Sequence, residues 1–212
     1  MISVVMGPMY SGKTVEGQKR TEEAARSGLV TLIVTSDKDS RYVNTDVPLN
    51  VSHNGLGTRC DAKVTQLDAS DCDTLVAEFI WVDEGQFMGS GLTEFCLKAQ
   101  SNGTHVLVTA LQSDFKQRPW PNIVELLPHA SEVMTKQAYC IICNAKCHYT
   151  RKRDMTNVDS VDNVVDPGGA DKYAPACHVH FNDPLVIPNE YMDKRALINE
   201  KVKRYQVNLA NK

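Results

Sequence analysis

The chain has 212 residues, 42% of them hydrophobic, with 26 acidic against 23 basic side chains and a net charge of −3. That length supports one sizeable core with a small appendage, and the mixed charge excludes a general nucleic-acid or membrane-surface binder. The start, MISVVMGP, lacks a basic leader with a long apolar core, and no run reaches the ~20 apolar residues of a membrane span, so a soluble, cytoplasmic protein is expected.

Residues 2–6, ISVVM, are an apolar run suited to a buried strand. Residues 13–27 contain one helix breaker, Gly17, and Gly28 supplies a stop, so a helix is predicted there. LVTLIVT at 29–35 is β-branched and predicts a second strand. The polar residues 36–62 read as a long loop, of the kind that usually has a function. A helix is predicted over 71–79, followed by the strand FIWVD. Leu92, Phe95, Cys96 and Ala99 then follow the i, i+3, i+4, i+7 spacing of an amphipathic helix, and HVLVTAL at 105–111 predicts another strand. Strands alternating with helices imply an α/β fold, a central parallel sheet flanked by helices.

The composition changes near Ala138. Seven cysteines are present, four of them between Cys140 and Cys177, which suggests a metal rather than a disulfide framework. Residues 1–137 therefore read as a nucleotide-binding domain, 138–182 as a small zinc-binding, ribbon-like lobe and 183–212 as a tail. HYTRK is a β-like stretch of the lobe, and residues 189–207 could form a helix.

Residues 7–14, Gly7-Pro8-Met9-Tyr10-Ser11-Gly12-Lys13-Thr14, match G-x-x-x-x-G-K-[ST]. In such a loop the glycines let backbone N–H groups face a β-phosphate, the lysine adds a point charge and the threonine hydroxyl meets Mg²⁺. The position after a strand and before a helix agrees with that chemistry. A metal-side acid on a neighbouring strand is expected, and Asp83, ending FIWVD, fits. Strand alternation would aim Glu84 away from Asp83, at a hydroxyl attacking the γ-phosphate. The attacking group would be water in an ATPase or a substrate hydroxyl in a kinase, and a solvated surface Glu84 is the plain alternative.

CIIC at 140–143 and CHVH at 177–180 are C-x-x-C and C-x-x-H pairs. Cys140, Cys143, Cys177 and His180 would give a closed tetrahedral Zn²⁺ site, structural rather than catalytic. Cys147, His148 and His178 are competing ligands on spacing alone. A thioredoxin-type reading of CIIC lacks its βαβ context.

GPMYSGKT, KDSRY at 38–42, DEGQF at 83–87, ALQSDF at 110–115, CIIC, GGADKY at 168–173 and CHVH occur in the order of type II thymidine kinases, which the chain resembles over about residues 2–182. The resemblance implies a P-loop domain and a zinc lobe whose lasso loop closes over the nucleoside. It implies transfer of the ATP γ-phosphate to the thymidine 5′-hydroxyl with Mg²⁺, in nucleotide salvage for DNA synthesis. By the same likeness Asp39, Ser40, Arg41, Asp83 and Gln86 join the P-loop at ATP, with Thr14 and Asp83 on Mg²⁺, and Glu84 is the base. Phe115 stacks on the thymine, Phe87 and Trp120 sit near the pocket, and Val164, Val165, Asp166, Pro167, Gly168 and Tyr173 hold the nucleoside. A homotetramer or dimer is implied, with no nucleic-acid or membrane partner, and deoxyuridine is a second substrate to consider.

The chain departs from that pattern at Gly17, usually bulky and apolar, and at Asn54, Gln112, Trp120, Asp166 and Pro167. His180 replaces the cysteine of the animal enzymes. A different class, an ATP-driven nucleic-acid module with a zinc ribbon, would show ATPase activity indifferent to nucleosides.

Overall fold

The structure, a computed structural model, describes residues 1–38, 49–51, 57–155, 168–169, 171–183 and 187. Asp39, Ser40, Arg41, Asn54, Val164, Val165, Asp166, Pro167 and the expected helix over 189–207 lie outside the described residues.

In chain order, β1 is Ile2–Met6, α1 Lys13–Arg26, β2 Thr31–Ser36, β3 Leu49–Val51, β4 Gly57–Arg59, β5 Ala62–Val64 and β6 Phe79–Val82. Then follow α2 Leu92–Ser101, β7 His105–Ala110, α3 Pro121–Leu126 and β8 Glu132–Thr135. The last part holds β9 Ala138–Tyr139, β10 Lys146–Cys147, β11 Tyr149–Lys152, β12 Tyr173–Ala176 and α4 His178–Phe181.

Six strands form one parallel sheet in the order β5-β2-β6-β7-β1-β8. Its apolar residues alternate between the faces, as the strand repeat requires. Val5, Ile33, Phe79, Trp81 and Leu107 meet Ala24 of α1 on one face. Ile2, Val4, Val34, Ile80, Val82, Val106 and Val108 join residues of α2 and α3 on the other. Both faces are covered, which explains why the strands read as continuous apolar runs.

Three expectations need correction. The strand carrying the acid is not next to the P-loop strand, because β7 lies between β6 and β1. Residues 71–79 do not form a helix; a short 3₁₀ turn, Ala69–Asp73, takes the place of its start. There the Asp68 side chain accepts the Ser70 N–H at 2.8 Å and Asp71 accepts the Asp68 N–H at 2.8 Å. These local bonds cap the start of the turn. The expected loop 36–62 contains the antiparallel pair β3–β4, and its end enters β5 at the sheet edge.

Gly17 also has a tertiary reason. A Cβ on it would lie 2.1 Å from the Trp81 indole, so the indole occupies the space that a side chain on α1 would fill. Trp81 is fully buried, and its Nε1–H donates to Thr109 Oγ1 at 2.9 Å. The ~1 kcal/mol helix cost of glycine is offset by that close approach. Among the described residues, no helix is long and apolar enough to cross a membrane.

Candidate active site and metal centre

The site gathers at the C-terminal ends of the parallel strands, where ligands of open α/β sheets bind. Residues 7–12 run from β1 into α1. Two positions in this loop demand their residue type. A Cβ on Gly7 would lie 2.6 Å from the Lys136 carbonyl oxygen and 2.7 Å from Ser11 Oγ, and Gly12 has a φ of 80°. Tyr10, with a φ of 65°, also takes the left-handed region. A loop built from such turns directs successive N–H groups inward. Lys13 is buried, and its Nζ donates to the Pro8 carbonyl of the same loop at 2.9 Å.

Thr14, in the first turn of α1, donates through Oγ1 to Asp83 Oδ2 at 3.3 Å. Asp83 is buried, and Thr109 Oγ1 donates to its other oxygen. Thr109 on β7 thus fills the gap left by the intervening strand. Sequence reading did not single it out, although a threonine inside the apolar HVLVTA was a signal. Thr14 and Asp83 present two hard oxygens side by side, the donor type that Mg²⁺ takes.

Glu84 follows Asp83 in a left-handed conformation, φ 54° and ψ 42°, and caps the 3₁₀ turn Gly85–Phe87. The two acids therefore diverge because the backbone turns at Glu84, not because a strand alternates; β6 has ended at Val82. A left-handed residue other than glycine, Asn or Asp is uncommon and strained, and such strain concentrates at functional sites. Gln86 donates from Nε2 to Glu84 Oε2 at 2.5 Å, and its Oε1 accepts the Leu111 N–H at 3.0 Å.

Beside the loop is a small aromatic cluster. Met9, Phe115 and Tyr173 are buried together, with Tyr10, Leu111 and Met155 against them. The Phe115 and Tyr173 rings are 6.1 Å apart, and Lys152 Nζ stands 4.5 Å from the Phe115 ring centre, a cation–π distance. Phe115 is set by a tight turn: the buried Asp114 accepts the N–H groups of Lys116 and Arg118 at 2.7 and 2.8 Å. Arg118 Nε adds a third bond to it at 2.8 Å. Thr150 of β11 accepts the Met9 N–H at 2.9 Å, joining the lobe to the phosphate loop. Phe87 and Trp120 pack edge to face at 5.7 Å within the large core cluster, not with Phe115. Gly168 precedes the turn in which the Tyr173 N–H donates to Gly169 O at 3.0 Å.

The four metal candidates converge. The ligand atoms of Cys140, Cys143, Cys177 and His180 all lie within 4.8 Å of one another. Cys143 and Cys177 sulfurs are 3.7 Å apart, and His180 Nδ1 is 3.3 Å from Cys177 Sγ and 3.6 Å from Cys140 Sγ. With Zn–S bonds of ~2.3 Å, a tetrahedron has S–S edges of about 3.7 Å, so the donor set could hold zinc. Burial opposes ionisation of Cys140, but N–H groups at Cys143, Cys177 and Ile142 and the His180 ring outweigh it and lower the thiol to about 6. Thiolate is the ligating form. Cys147 is buried beside the cluster, and burial first, then the neighbouring sulfurs, pushes it up to about 12. It lies outside the converging set, as do His178 and His148, whose Nε2 is 2.9 Å from Gln137 Nε2. The Cα geometry is set by β9–β10 around the first pair and by α4, capped by Cys177, around the second. Arg151, fully buried, donates to the His180 carbonyl at 2.6 Å.

A loop of the P-loop pattern ahead of α1, a buried acid reached by the Thr14 hydroxyl, and an adjoining buried aromatic cluster are the arrangement of a P-loop phosphotransferase. The thymidine kinase family profile matches residues 1–181. The chain is 32% identical to thymidine kinase a of Arabidopsis thaliana over 185 residues, 85% of this chain and 74% of that protein. It is 32% identical to the cytosolic thymidine kinase of Gallus gallus, over 85% of this chain and 76% of that protein. It is 28% identical to the thymidine kinase of Choristoneura fumiferana entomopoxvirus, over 86% and 96%. The chain belongs to the thymidine kinase family, which makes it an ATP-dependent thymidine kinase.

Proposed function

We propose that the protein transfers the γ-phosphate of ATP to the 5′-hydroxyl of thymidine, with Glu84 taking the hydroxyl proton. The observation that carries this reading is the position of Met9. It belongs at once to the phosphate loop and to the Phe115–Tyr173 cluster, so a base held by the aromatics brings its sugar to the phosphates. In the transfer, the 5′-oxygen forms a bond to the γ-phosphorus, the bond to the bridging oxygen breaks, and ADP leaves. Residues 7–14 cradle the phosphates and Lys13 neutralises their charge. Thr14 and Asp83 would hold Mg²⁺, which supplies charge neutralisation at the phosphates when bound. Phe115 stacks on the base, an interaction of ~1–3 kcal/mol.

Asp39, Ser40 and Arg41 are assigned to the nucleotide, and Val164 to Gly168 with Tyr173 to the nucleoside. The domain division at 137/138 and 182/183, the structural Zn²⁺, a homotetramer or dimer, a cytoplasmic location and acceptance of deoxyuridine belong to the same reading. Glu84→Gln should cut thymidine phosphorylation by ~10²–10⁴-fold while ATP binding stays near normal. Unchanged turnover would remove Glu84 from the mechanism. A panel of nucleosides in an ATP-coupled assay separates this reading from nucleic-acid-stimulated ATP hydrolysis.

A further inference from the structure

Glu84 is held by more than its own backbone. Gly85 packs so closely on β7 that a Cβ there would lie 2.5 Å from Val108 Cγ1, and its carbonyl accepts Asn122 Nδ2 at 3.0 Å. The Phe87 N–H closes the turn on the Glu84 carbonyl at 2.9 Å. The peptide is therefore pinned from β7 and α3, and what remains to be set is the direction of the Glu84 side chain. A glutamate has three side-chain torsions, and a base must stand within hydrogen-bond reach of the proton it takes.

We propose that Gln86 is the positioning residue for Glu84. Its amide is buried and held at both ends. The Leu111 N–H can only donate, so the atom 3.0 Å from it must be the amide oxygen. The NH₂ end is thereby turned to Glu84, and it donates to Oε2 at 2.5 Å. The chain Leu111 N–H, Gln86 amide, Glu84 carboxylate runs from the end of β7 to the base. Each link is fixed by the one before it. Sequence reading placed Gln86 at the nucleotide; the engagement of both amide ends inside the protein instead gives it the orientation of the carboxylate. This inference rests on the reading of Glu84 as the base.

The test uses the full chain and two variants. Gln86→Glu keeps an oxygen for the Leu111 N–H but, at mildly alkaline pH, has no donor for Glu84; Gln86→Met keeps neither. Both should lose kcat for thymidine phosphorylation by ~10–100-fold, with KM for ATP and for thymidine within about threefold of the parent. In a Glu84→Gln background, Gln86→Met should cause no further loss, because the group it positions is already gone. Full activity in Gln86→Glu would reduce Gln86 to a support for residue 111 and overturn the proposal. So would a raised KM for ATP at intact kcat, or a further loss in the double variant. Full activity of Glu84→Gln alone would overturn the base reading, and this inference with it. A slow Glu84→Gln beside fully active Gln86 variants would overturn the positioning role only.

Discussion

The two halves of this molecule are stabilised by different means. The six-stranded sheet is sandwiched by helices and buries large apolar side chains on both faces, Trp81, Phe95 and Leu92 among them. The lobe after Ala138 has a buried cluster of Ala138, Cys140, Cys147 and Cys177, with Ile142 against it. So small an apolar cluster contributes little at ~25 cal/mol per Å² of buried surface. Four ligand atoms converge there, a set that could hold zinc. The sheet half can therefore hold a phosphate loop in a strained, preorganised form. The lobe half supports the aromatic cluster through Tyr173 and carries a donor set that could hold a metal.

The sharpest way to break this contrast is to remove the metal. Structural zinc contributes ~10 kcal/mol or more of binding free energy, which serves as folding free energy. Elemental analysis should first give about one zinc per chain. Chelation, or Cys177→Ser, should abolish thymidine phosphorylation while ATP binding changes by less than about tenfold. Both tryptophans, Trp81 and Trp120, sit in the sheet half, so their fluorescence should stay unchanged as the lobe opens. A red shift of that emission on chelation would show that the halves are not separately stabilised.

The next effect tests the sheet half. Gly17→Leu should destabilise the protein by ~1–3 kcal/mol or more in urea unfolding, because the new side chain meets the Trp81 indole. Gly17→Ala combined with Trp81→Leu should recover part of the loss caused by Gly17→Ala alone. Equal stability of Gly17→Leu and the parent would remove the packing explanation of the glycine.

The smallest effect concerns the polar brace between α1 and the edge of the sheet. Arg20 clamps Glu132 at 2.6 and 2.9 Å, and Glu16 binds Lys136 at 2.8 Å and Arg20 at 3.0 Å. The Lys136 hydrogen bond first, then Arg20, outweighs burial and holds the Glu16 carboxyl below its ordinary 4.5. A depressed carboxylate contributes stability above its unfolded value, and the contribution is lost as pH falls through the folded one. Glu16→Gln should therefore cost about 0.5–1 kcal/mol at neutral pH, a modest amount because the network is partly solvated. The difference from the parent should close as pH falls below about 4.5. A difference independent of pH would exclude the ion pairs as its source.

Local patterns were legible where the physics is local. GPMYSGKT identifies a phosphate loop because its glycines, lysine and threonine are contiguous, and the loop lies between β1 and α1 as expected. CIIC and CHVH announce ligand pairs because each pair spans one tight turn, and the pairs do converge. The edge strand β8 was not legible: EVMT is short, and Val133 is half exposed, so no continuous apolar run marks it. Thr150 and Asn122 were missed because their partners are backbone groups of Met9 and Gly85, 141 and 37 positions away. Ile187 falls in the segment read as a tail, and it is buried, its N–H donating to the Arg153 carbonyl at 3.0 Å.

Sequence alone determined the alternation of strands and helices, the phosphate loop, the adjacent acids and the four metal candidates, since each depends on residues a few positions apart. The tertiary structure decided the rest. It placed β7 between the two site strands and bridged that gap with Thr109. It turned Glu84 away from Asp83 by a left-handed backbone and set the Gln86 brace from Leu111. Those features depend on which segments pack together, and packing is decided by shape and burial over the whole chain rather than by any local spacing.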